Sequence, residues 1–256
     1  MNDFNEFEYF KCPIFIKVIG FGDASKHIVD AINVIGYDGL EASVTEVGED
    51  YMPSENDKMV ILLLTEKSEQ SLVMAKTYFD ADVLTIGITV ESDFTETMTV
   101  DSLTISAADQ MYDVIRTLID PIFMQGYIGY DFNDLRLTLA DTRNFLTISV
   151  EGYGEQRFNQ TIDSIKCCLT KEQVRRIEQI SVFIYFNKDG ENPLITQEVS
   201  GLTDFLNELP ESINAIWAIY PDDTIKDDGI RISLLAAGKE MVPDRSKQSA
   251  NLKLTN

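Results

Sequence analysis

The first ninety residues alternate between short apolar runs and segments with apolar residues at helical spacing. The apolar runs and one weaker alternation predict strands, which span 14–20, 42–47, 59–65 and 83–90. Helical spacing extends from Ile28 to Ile35, where Gly36 should end the helix, and recurs over 68–79. Strands that alternate with helices predict a parallel sheet covered on both faces by helices.

A long amphipathic helix follows this first half. Residues 91–104 are polar and suit a connection. From Ala107 to Ile122, apolar residues then form one stripe at helical spacing. Pro121 should kink this helix or end it near Asp120, because proline lacks the N–H that the helix ladder needs. We expect the helix to act as a strut between two domains.

The second half of the chain mixes strands and helices in a different order. Strands are predicted at 145–150, 180–186, 213–220 and 230–236, and helices at 158–169 and 198–209. Because only an acidic turn separates the last two strands, we expect them to form an antiparallel edge of a mixed sheet. The polar residues from Lys239 onward predict a flexible tail.

The charge balance narrows the possible partners. The chain has 43 acidic and 21 basic residues, and its net charge of -22 argues against binding to nucleic acid or to an anionic membrane surface. Its longest apolar run, Met59–Leu64, is too short for membrane insertion, and the first ten residues carry acids where a signal peptide carries bases. Cys12, Cys167 and Cys168 are too few for a disulfide framework. We therefore expect a cytoplasmic protein with reduced thiols.

One turn has the composition of a phosphate-binding loop. Gly20-Phe21-Gly22 lies between a predicted strand and a predicted helix, where bare backbone and a helix N-terminus can hold an anion. Ser25 stands where a dinucleotide fingerprint has its third glycine, and the carboxylate of Asp23 would repel phosphate. Asp23 is also explained as a helix N-cap. A phosphate site and an ordinary tight turn both stay open as interpretations.

Other candidate chemistry is sparse. His27 is the only histidine, which excludes a histidine-rich zinc site, and no metal site is predicted. Its favoured interpretation is a surface residue in the first helical turn. Asp131 and Asp134 are three residues apart at a predicted helix start, so both carboxylates can face one side. Such a pair can polarise water or bind a cation, but ordinary helix capping produces the same pattern.

Several segments, taken in order, resemble the tubulin/FtsZ superfamily, and FtsZ-like proteins most closely. Residues 16–27 align without a gap with the family's opening strand and glycine-rich loop. Residues 126–135, Gly-Tyr-Ile-Gly-Tyr-Asp-Phe-Asn-Asp-Leu, follow its Gly-x-(Ile/Met)-Asn-x-Asp-Phe-Ala-Asp-Val motif. Residues 154–157, Gly-Glu-Gln-Arg, are similar to its Gly-Glu-x-Arg helix start, and residues 222–238 to its closing strands.

The resemblance implies a fold and a division of the chain. The expected fold class is α/β, with a Rossmann-like parallel sheet domain, a long central helix and an α+β mixed-sheet domain, as in tubulin/FtsZ-like proteins. The expected segments are a reduced Rossmann-like, nucleotide-binding-type domain at 1–104, the central helix and its loop at 105–127, an FtsZ C-terminal-like domain at 128–238 and the tail at 239–256.

The resemblance also implies a ligand and a set of site residues. In this family the first domain binds GTP or GDP, with Mg²⁺ possible beside the nucleotide. Two acids from the next subunit of a head-to-tail filament complete the hydrolytic site. By position, these catalytic acids are Asp131 and Asp134, and the residue that contacts the base is Asp109. The expected phosphate-side residues are Gly20, Phe21, Gly22, Ser25, Lys26 and His27.

The two phosphate-side loops depart from the family pattern. Of the five glycines that follow the family's Gly-Val, only Gly22 survives, and Thr65–Ser71, with two glutamates and no glycine, replaces the family's second glycine-rich loop. Side chains keep the backbone away from a polyphosphate and the glutamates repel it, while Lys26 and Lys67 offset only part of this repulsion.

Three functions are therefore considered. The favoured one is an FtsZ/tubulin-like cytoskeletal or cell-division-related protein with lost or weakened GTPase activity, which associates with itself or with an FtsZ-type partner. The second is an active, self-polymerising GTPase with an atypical phosphate loop. The third is a protein that binds another nucleotide or a small metabolite in the same cleft.

Overall fold

The computed structural model describes residues 15–45, 52–66, 68–90, 97–226, 228–241 and 249–253. Its strands are β1 (Phe15–Phe21), β2 (Leu40–Val44), β3 (Asp57–Leu64), β4 (Leu84–Thr89), β5 (Ser102–Ile105), β6 (Arg143–Gly152), β7 (Gln179–Phe186), β8 (Asn214–Pro221), β9 (Ile230–Gly238) and β10 (Ser249–Lys253). Its helices are α1 (Lys26–Ile35), α2 (Glu69–Asp80), α3 (Met111–Phe123), α4 (Phe132–Leu139), α5 (Arg157–Cys168), α6 (Lys171–Arg176) and α7 (Thr196–Glu208). Short 3-10 turns, Asp23–Ser25 and Ala108–Gln110, precede α1 and α3.

The strands of both halves form one mixed sheet. Their order is β2-β1-β3-β4-β5-β6-β9-β7-β8, and β10 adds to β6. The pairs from β2 to β6 are parallel, whereas β9 runs antiparallel to both of its neighbours. The predicted α/β fold class is thus confirmed, with a parallel first half and a mixed second half. The division into domains stays a prediction, and its boundary at 104 falls inside β5.

Buried apolar side chains pack on both faces of this sheet. One cluster gathers around α3 and includes residues from the strands of both halves, among them Val18 and Phe183. A second cluster lies between the strands of the second half and α5 and α7, and a third lies between β1, β3 and α2. The central helix therefore packs against both halves, as its amphipathic stripe predicted.

Pro121 lies inside α3 and does not end it at Asp120. The helix continues to Phe123, and the amide of Met124 donates to the carbonyl of Asp120 at 2.8 Å. The proline stands in the last turn, where its missing N–H removes one bond of the ladder and leaves the rest intact. Of the two predicted outcomes, a kink or an end near Asp120, the end is therefore wrong by three residues.

Two connections also differ from the prediction. The polar segment 91–104 contains the start of β5, whose short, fully buried sequence Ser-Leu-Thr-Ile has too few apolar residues to form a recognisable run; residues 91–96 lie outside the described part. β8 and β9 do not form an antiparallel edge, because β9 inserts between β6 and β7. Eight of the nine residues of β9 are buried, including all seven from Ile232 to Gly238, which suits a strand inside the sheet.

The tail is partly a strand. Residues 249–253 pair in parallel with β6, from Ser249 opposite Thr147 to Lys253 opposite Glu151. The prediction of a flexible tail from Lys239 is wrong for these five residues, because the edge of β6 beyond β5 offers unpaired backbone groups that they can use. No helix in the described ranges has the length and apolar character needed to cross a bilayer.

Candidate functional site

The predicted phosphate turn lies at the carboxyl ends of β1 and β3. The strand order reverses here, because β1 pairs with β2 on one side and with β3 on the other. In open α/β sheets such a reversal creates the crevice that binds ligands. The turn after β3 is tied to the turn after β1, since the amide and hydroxyl of Thr65 donate to the carbonyl of Phe21 at 3.3 and 2.7 Å.

Ser25 shapes the first turn from inside. Its side chain is buried, and its hydroxyl and amide both donate to the carbonyl of Gly22, at 2.7 and 3.1 Å. Gly20 leaves room for this hydroxyl, because a Cβ atom at that position would collide with it. The hydroxyl proton of Ser25 is therefore used within the turn and does not point to a ligand.

Glu66 lies against the same turn. A Cβ atom placed on Gly22, whose φ is +87°, would lie 2.7 Å from Cγ and 2.8 Å from Cδ of Glu66. The carboxyl end of this side chain thus occupies the space that the glycine leaves open. A polyphosphate would need that space and would meet a like charge in it. The residues present in this conformation do not fit a bound triphosphate.

The remaining residues of the turn differ in exposure. Asp23, Lys26 and His27 are exposed, whereas the ring of Phe21 is buried in the apolar cluster beneath α2. Asp23 lies within the 3-10 turn and Ser25 is the N-cap residue of α1, so the prediction of Asp23 as an N-cap is wrong. Lys67, which was expected to offset part of the negative charge, lies outside the described residues.

Asp109 and the acid pair lie at opposite ends of α3. Asp109 is exposed in the 3-10 turn before the helix, and Asp131 follows the loop after it. The 13 residues of α3 separate these positions by about 20 Å at 1.5 Å per residue. Because β5 runs parallel to β1 and β3, Asp109, which follows β5, lies at the same edge of the sheet as the phosphate turn, whereas the acid pair follows the far end of α3.

Asp131 and Asp134 form a reciprocal cap at the start of α4. Oδ1 of Asp131 accepts from the amides of Asn133 and Asp134 at 2.7 and 3.1 Å, and Oδ2 of Asp134 accepts from the amide of Asp131 at 3.0 Å. Asp131 is exposed and Asp134 is half-buried. The capping interpretation is confirmed, and the hydrogen bonds among the described residues leave one oxygen of each carboxylate for another role.

A partly buried polar network that joins α3 to Tyr37 was not predicted from the sequence. Arg116 forms a two-pronged ion pair with Asp120, and the hydroxyl of Tyr37 donates to the same carboxylate. Burial and the Asp120 charge raise the pKa of Tyr37 well above its ordinary value. A cavity of about 50 Å³ adjoins this network, lined by Asp113, Arg116, Asp120, Ser149, Tyr185 and Arg231. Because Tyr37 and Asp120 are 83 residues apart, no local pattern could have indicated their contact.

Arg157, in the motif Gly-Glu-Gln-Arg, is a buried structural residue. Its guanidinium forms two bonds of 2.8 and 2.9 Å with Glu198 and donates to the carbonyls of Asn192, Pro193 and Asp228 at 2.8 to 3.3 Å. The side chain is 4% exposed. The motif therefore joins the start of α5 to two loops and to α7.

A second cavity, of about 320 Å³, lies at the amino ends of β1 to β3, away from the phosphate turn. Lys17 and Asp57 form an ion pair of 2.8 Å in its wall. Burial raises the pKa of Asp57, but the hydrogen bonds from Lys17 and Ser54 outweigh this effect and lower it. Within the described ranges, no group of three His, Cys, Asp or Glu side chains is arranged to hold a metal ion.

Comparison with known sequences gives one distant relative. No protein-family model matches the chain. Over 156 residues it is 24% identical to the cell division protein FtsZ of Porphyromonas gingivalis. The matched segment is 59% of this chain and 33% of that protein, so the match spans a third of the relative's length.

Comparison with solved structures extends the likeness to almost the whole chain. A point mutant of FtsZ from M. jannaschii has a TM-score of 0.70 at 13% identity, covering 88% of this chain and 91% of that one. GDP-form protofilaments of TubZ from Bacillus thuringiensis serovar israelensis give 0.61 at 10% identity, covering 90% and 85%. The chain has a tubulin/FtsZ-like fold, and its sequence is distantly similar to FtsZ, which confirms the resemblance found in its sequence.

Proposed function

We propose that this chain is a cytoplasmic FtsZ/tubulin-like cytoskeletal protein, related to cell division, that assembles with itself or with an FtsZ-type partner and has lost or weakened GTPase activity. The observation that carries the proposal is the contact between Glu66 and Gly22. A structural relative, TubZ, forms protofilaments in its GDP form, which supports assembly as the role of the fold. Neither a nucleic-acid partner nor direct membrane insertion is part of the proposal.

The contact between Glu66 and Gly22 explains why nucleotide affinity should be low. Two unit charges 4 Å apart interact by about 4 kcal/mol at the effective dielectric near a protein surface. Water and a bound Mg²⁺ would reduce this repulsion, and the exposed side chain of Glu66 can rotate away. We therefore expect weak binding of GTP or GDP, with Gly20, Gly22 and the start of α1 on the phosphate side and Asp109 toward the base.

An active, self-polymerising GTPase is the second candidate function, and the acid pair favours it. Asp131 and Asp134 stand at the end of the central helix remote from the phosphate turn, where they would have to act on a neighbouring copy. Their cap leaves one oxygen of each carboxylate free of bonds to described residues. The third candidate, a binder of another nucleotide or metabolite, has no observation in its favour beyond the position of the turn.

Titration with fluorescent GTP, with and without Mg²⁺, followed by pelleting with and without GTP, tests the proposal. We expect no saturable binding at micromolar nucleotide and pelleting that does not depend on GTP. Micromolar binding with GTP-dependent pelleting would establish the second candidate instead. A melting shift with a dinucleotide but not with GTP would favour the third.

A matched pair of variants tests the role of Glu66. Glu66→Ala and Glu69→Ala make the same change in net charge, but Glu66 is the residue that contacts Gly22. Glu66→Ala should bind GTP at least about tenfold more tightly than the parent chain, equivalent to about 1.4 kcal/mol. Glu69→Ala should change the affinity by a smaller factor. Equal effects of both variants would mean that overall charge, and not the contact, limits binding.

A further inference from the structure

β8 is the last strand at one end of the sheet, and its outer edge carries no charged side chain. On its inner side β8 pairs with β7 over its full length, from Asn214 to Pro221. Residues 213–220 contain no charged side chain. Within the described ranges, only Tyr127 and Ile128 pair with the outer side, in an antiparallel bridge at Ile219.

The bridge identifies which backbone groups point outward. The amide of Ile219 donates to the carbonyl of Ile128 at 3.1 Å, and its carbonyl accepts from the amide of Tyr127 at 2.8 Å. Because successive residues of a strand direct their backbone groups to alternate sides, Trp217 and Ala215 also point outward. Asn214 points inward, since its amide donates to the carbonyl of Glu178 at 2.9 Å. Ala215 and Trp217 thus present donors and acceptors in line with an existing bridge.

The amino half of this edge lacks the features that usually prevent strand addition. Edge strands are commonly protected by charged side chains, prolines or a covering segment. Here Pro221 and the bridge cover the carboxyl end of β8, whereas Asn214 and Ala215 are exposed and carry no charge. β2, the strand at the opposite edge of the sheet, carries Glu41. The unprotected half of β8 is therefore a site where another strand can add.

We propose that this edge docks an extended segment of a partner protein by antiparallel strand addition, and that the segment is apolar at its centre and basic at its ends. Exposed acids flank the edge: Glu211 precedes β8, Asp223 follows it, and Asp131 lies beyond the bridge. Lys226 is the one cation among the described residues of the following turn. This distribution attracts lysine or arginine at both ends of an added strand.

A second copy of the chain suits this edge poorly. Antiparallel pairing of two β8 strands about Trp217 would place Glu211 of each copy opposite Asp223 of the other. Each copy also carries a net charge of -22. Like charges directly opposite each other destabilise a strand pair, so a basic partner of different sequence is the assigned occupant.

Two synthetic peptides with one apolar core test the assignment. The basic probe is acetyl-Lys-Lys-Val-Thr-Val-Thr-Val-Lys-Lys-amide, and the acidic control replaces every lysine by glutamate. Trp217 is the only tryptophan of the chain, so its fluorescence reports occupancy of the edge. The basic peptide should bind at least tenfold more tightly than the acidic one. Hydrogen exchange should show the amides of Ala215 and Trp217 protected only when it is bound.

Variants separate backbone pairing from general attraction. Ala215→Pro removes an outward N–H, a change that an edge strand tolerates. This variant should bind the basic peptide at least tenfold more weakly than the parent chain. Ala215→Ser keeps the N–H and should bind the peptide like the parent chain. If Ala215→Pro lowers the urea midpoint, the same test is made on the parent chain with the peptide N-methylated at its central valine. Equal affinity for the basic and the acidic peptide would overturn the proposal. So would an affinity for the basic peptide that neither Ala215→Pro nor N-methylation of the peptide changes. So would dimers of the parent chain in which the Ala215 amide is already protected.

Discussion

Replacing Arg157 by methionine should strongly destabilise the second half of the chain. Methionine keeps much of the length and the apolar stem of arginine but removes the guanidinium. The carboxylate of Glu198, whose side chain is 17% exposed, would then lie among loops without its partner. The carbonyls of Asn192, Pro193 and Asp228 would lose their shared donor.

The structure sets the size of the expected loss. Removing one partner of a buried ion pair costs about 3–5 kcal/mol, because the other charge is left uncompensated. We expect about 4 kcal/mol for Arg157→Met, which raises the unfolded fraction by about a thousandfold. For a chain of this size that loss lowers Tm by roughly 8–16 °C. Arg157→Lys keeps the charge but cannot reach Glu198 and three carbonyls together, so about half of the loss should remain.

Urea unfolding followed by circular dichroism measures these changes. The control is Arg175→Met, because Arg175 pairs with Glu172 at 3.9 Å and both side chains are largely exposed. That variant should stay within about 0.5 kcal/mol of the parent chain. If Arg157→Met also stays within about 1 kcal/mol, the buried guanidinium does not hold these loops together and the reasoning fails.

The same ion pair makes a pH prediction. Burial raises the pKa of Glu198, but hydrogen bonds from Arg157 and the amide of Ile195 outweigh it, so the pKa is lowered on folding. A lowered pKa stabilises the fold fully above the unfolded value, near 4.3, and this contribution is lost as the pH falls through the folded value. The parent chain should therefore lose more stability than Glu198→Gln between about pH 5 and pH 3. If the urea midpoints of the two proteins fall by the same amount over this pH range, the lowered pKa of Glu198 is contradicted.

Substitutions at three further positions test the turn, the cap and the polar network around Asp120. Gly22→Ala should cost about 1–3 kcal/mol, because φ is +87° there and the methyl group would meet Glu66; an unchanged Tm would show that the turn relaxes. Asp131→Ala should cost about 1 kcal/mol through the lost cap alone, whereas Asp131→Asn should keep most of it. A loss with Asn as large as with Ala would contradict the cap. Tyr37→Phe should cost about 1–2 kcal/mol by removing a donor to Asp120, and an unchanged urea midpoint would mean that this bond contributes no net stability.

Local patterns predicted several helix boundaries well. Apolar residues at helical spacing placed α1, and Gly36 ends that helix in the left-handed conformation, with φ of 69° and ψ of 49°. Only glycine adopts this conformation at little cost, so the stop signal is a property of the residue itself. The acids at 131 and 134 likewise predicted the start of α4, because capping uses groups within three residues of each other.

Contacts between distant segments were beyond such patterns. The sequence predicted that glutamates would disfavour phosphate, but the contact of Glu66 with Gly22 depends on how two turns 44 residues apart meet. The insertion of β9 between β6 and β7 is similar, because a strand's own sequence shows how buried it is and not which strands flank it. The four-residue strand β5 was missed because it is too short to establish a period.

The short length of β5 has a mechanical consequence for the whole molecule. It joins the two halves of the sheet through two residue pairs, Ser102 with Arg143 and Leu103 with Asn144. Elsewhere the halves meet through apolar side chains around α3, which have no preferred direction, and through two polar contacts, the exposed ion pair of Arg136 with Asp82 and the bond between the hydroxyls of Ser102 and Thr142. A rigid-body rotation of one half against the other would break few backbone hydrogen bonds. The sheet would bend at β5, where the two residue pairs with β6 join its halves.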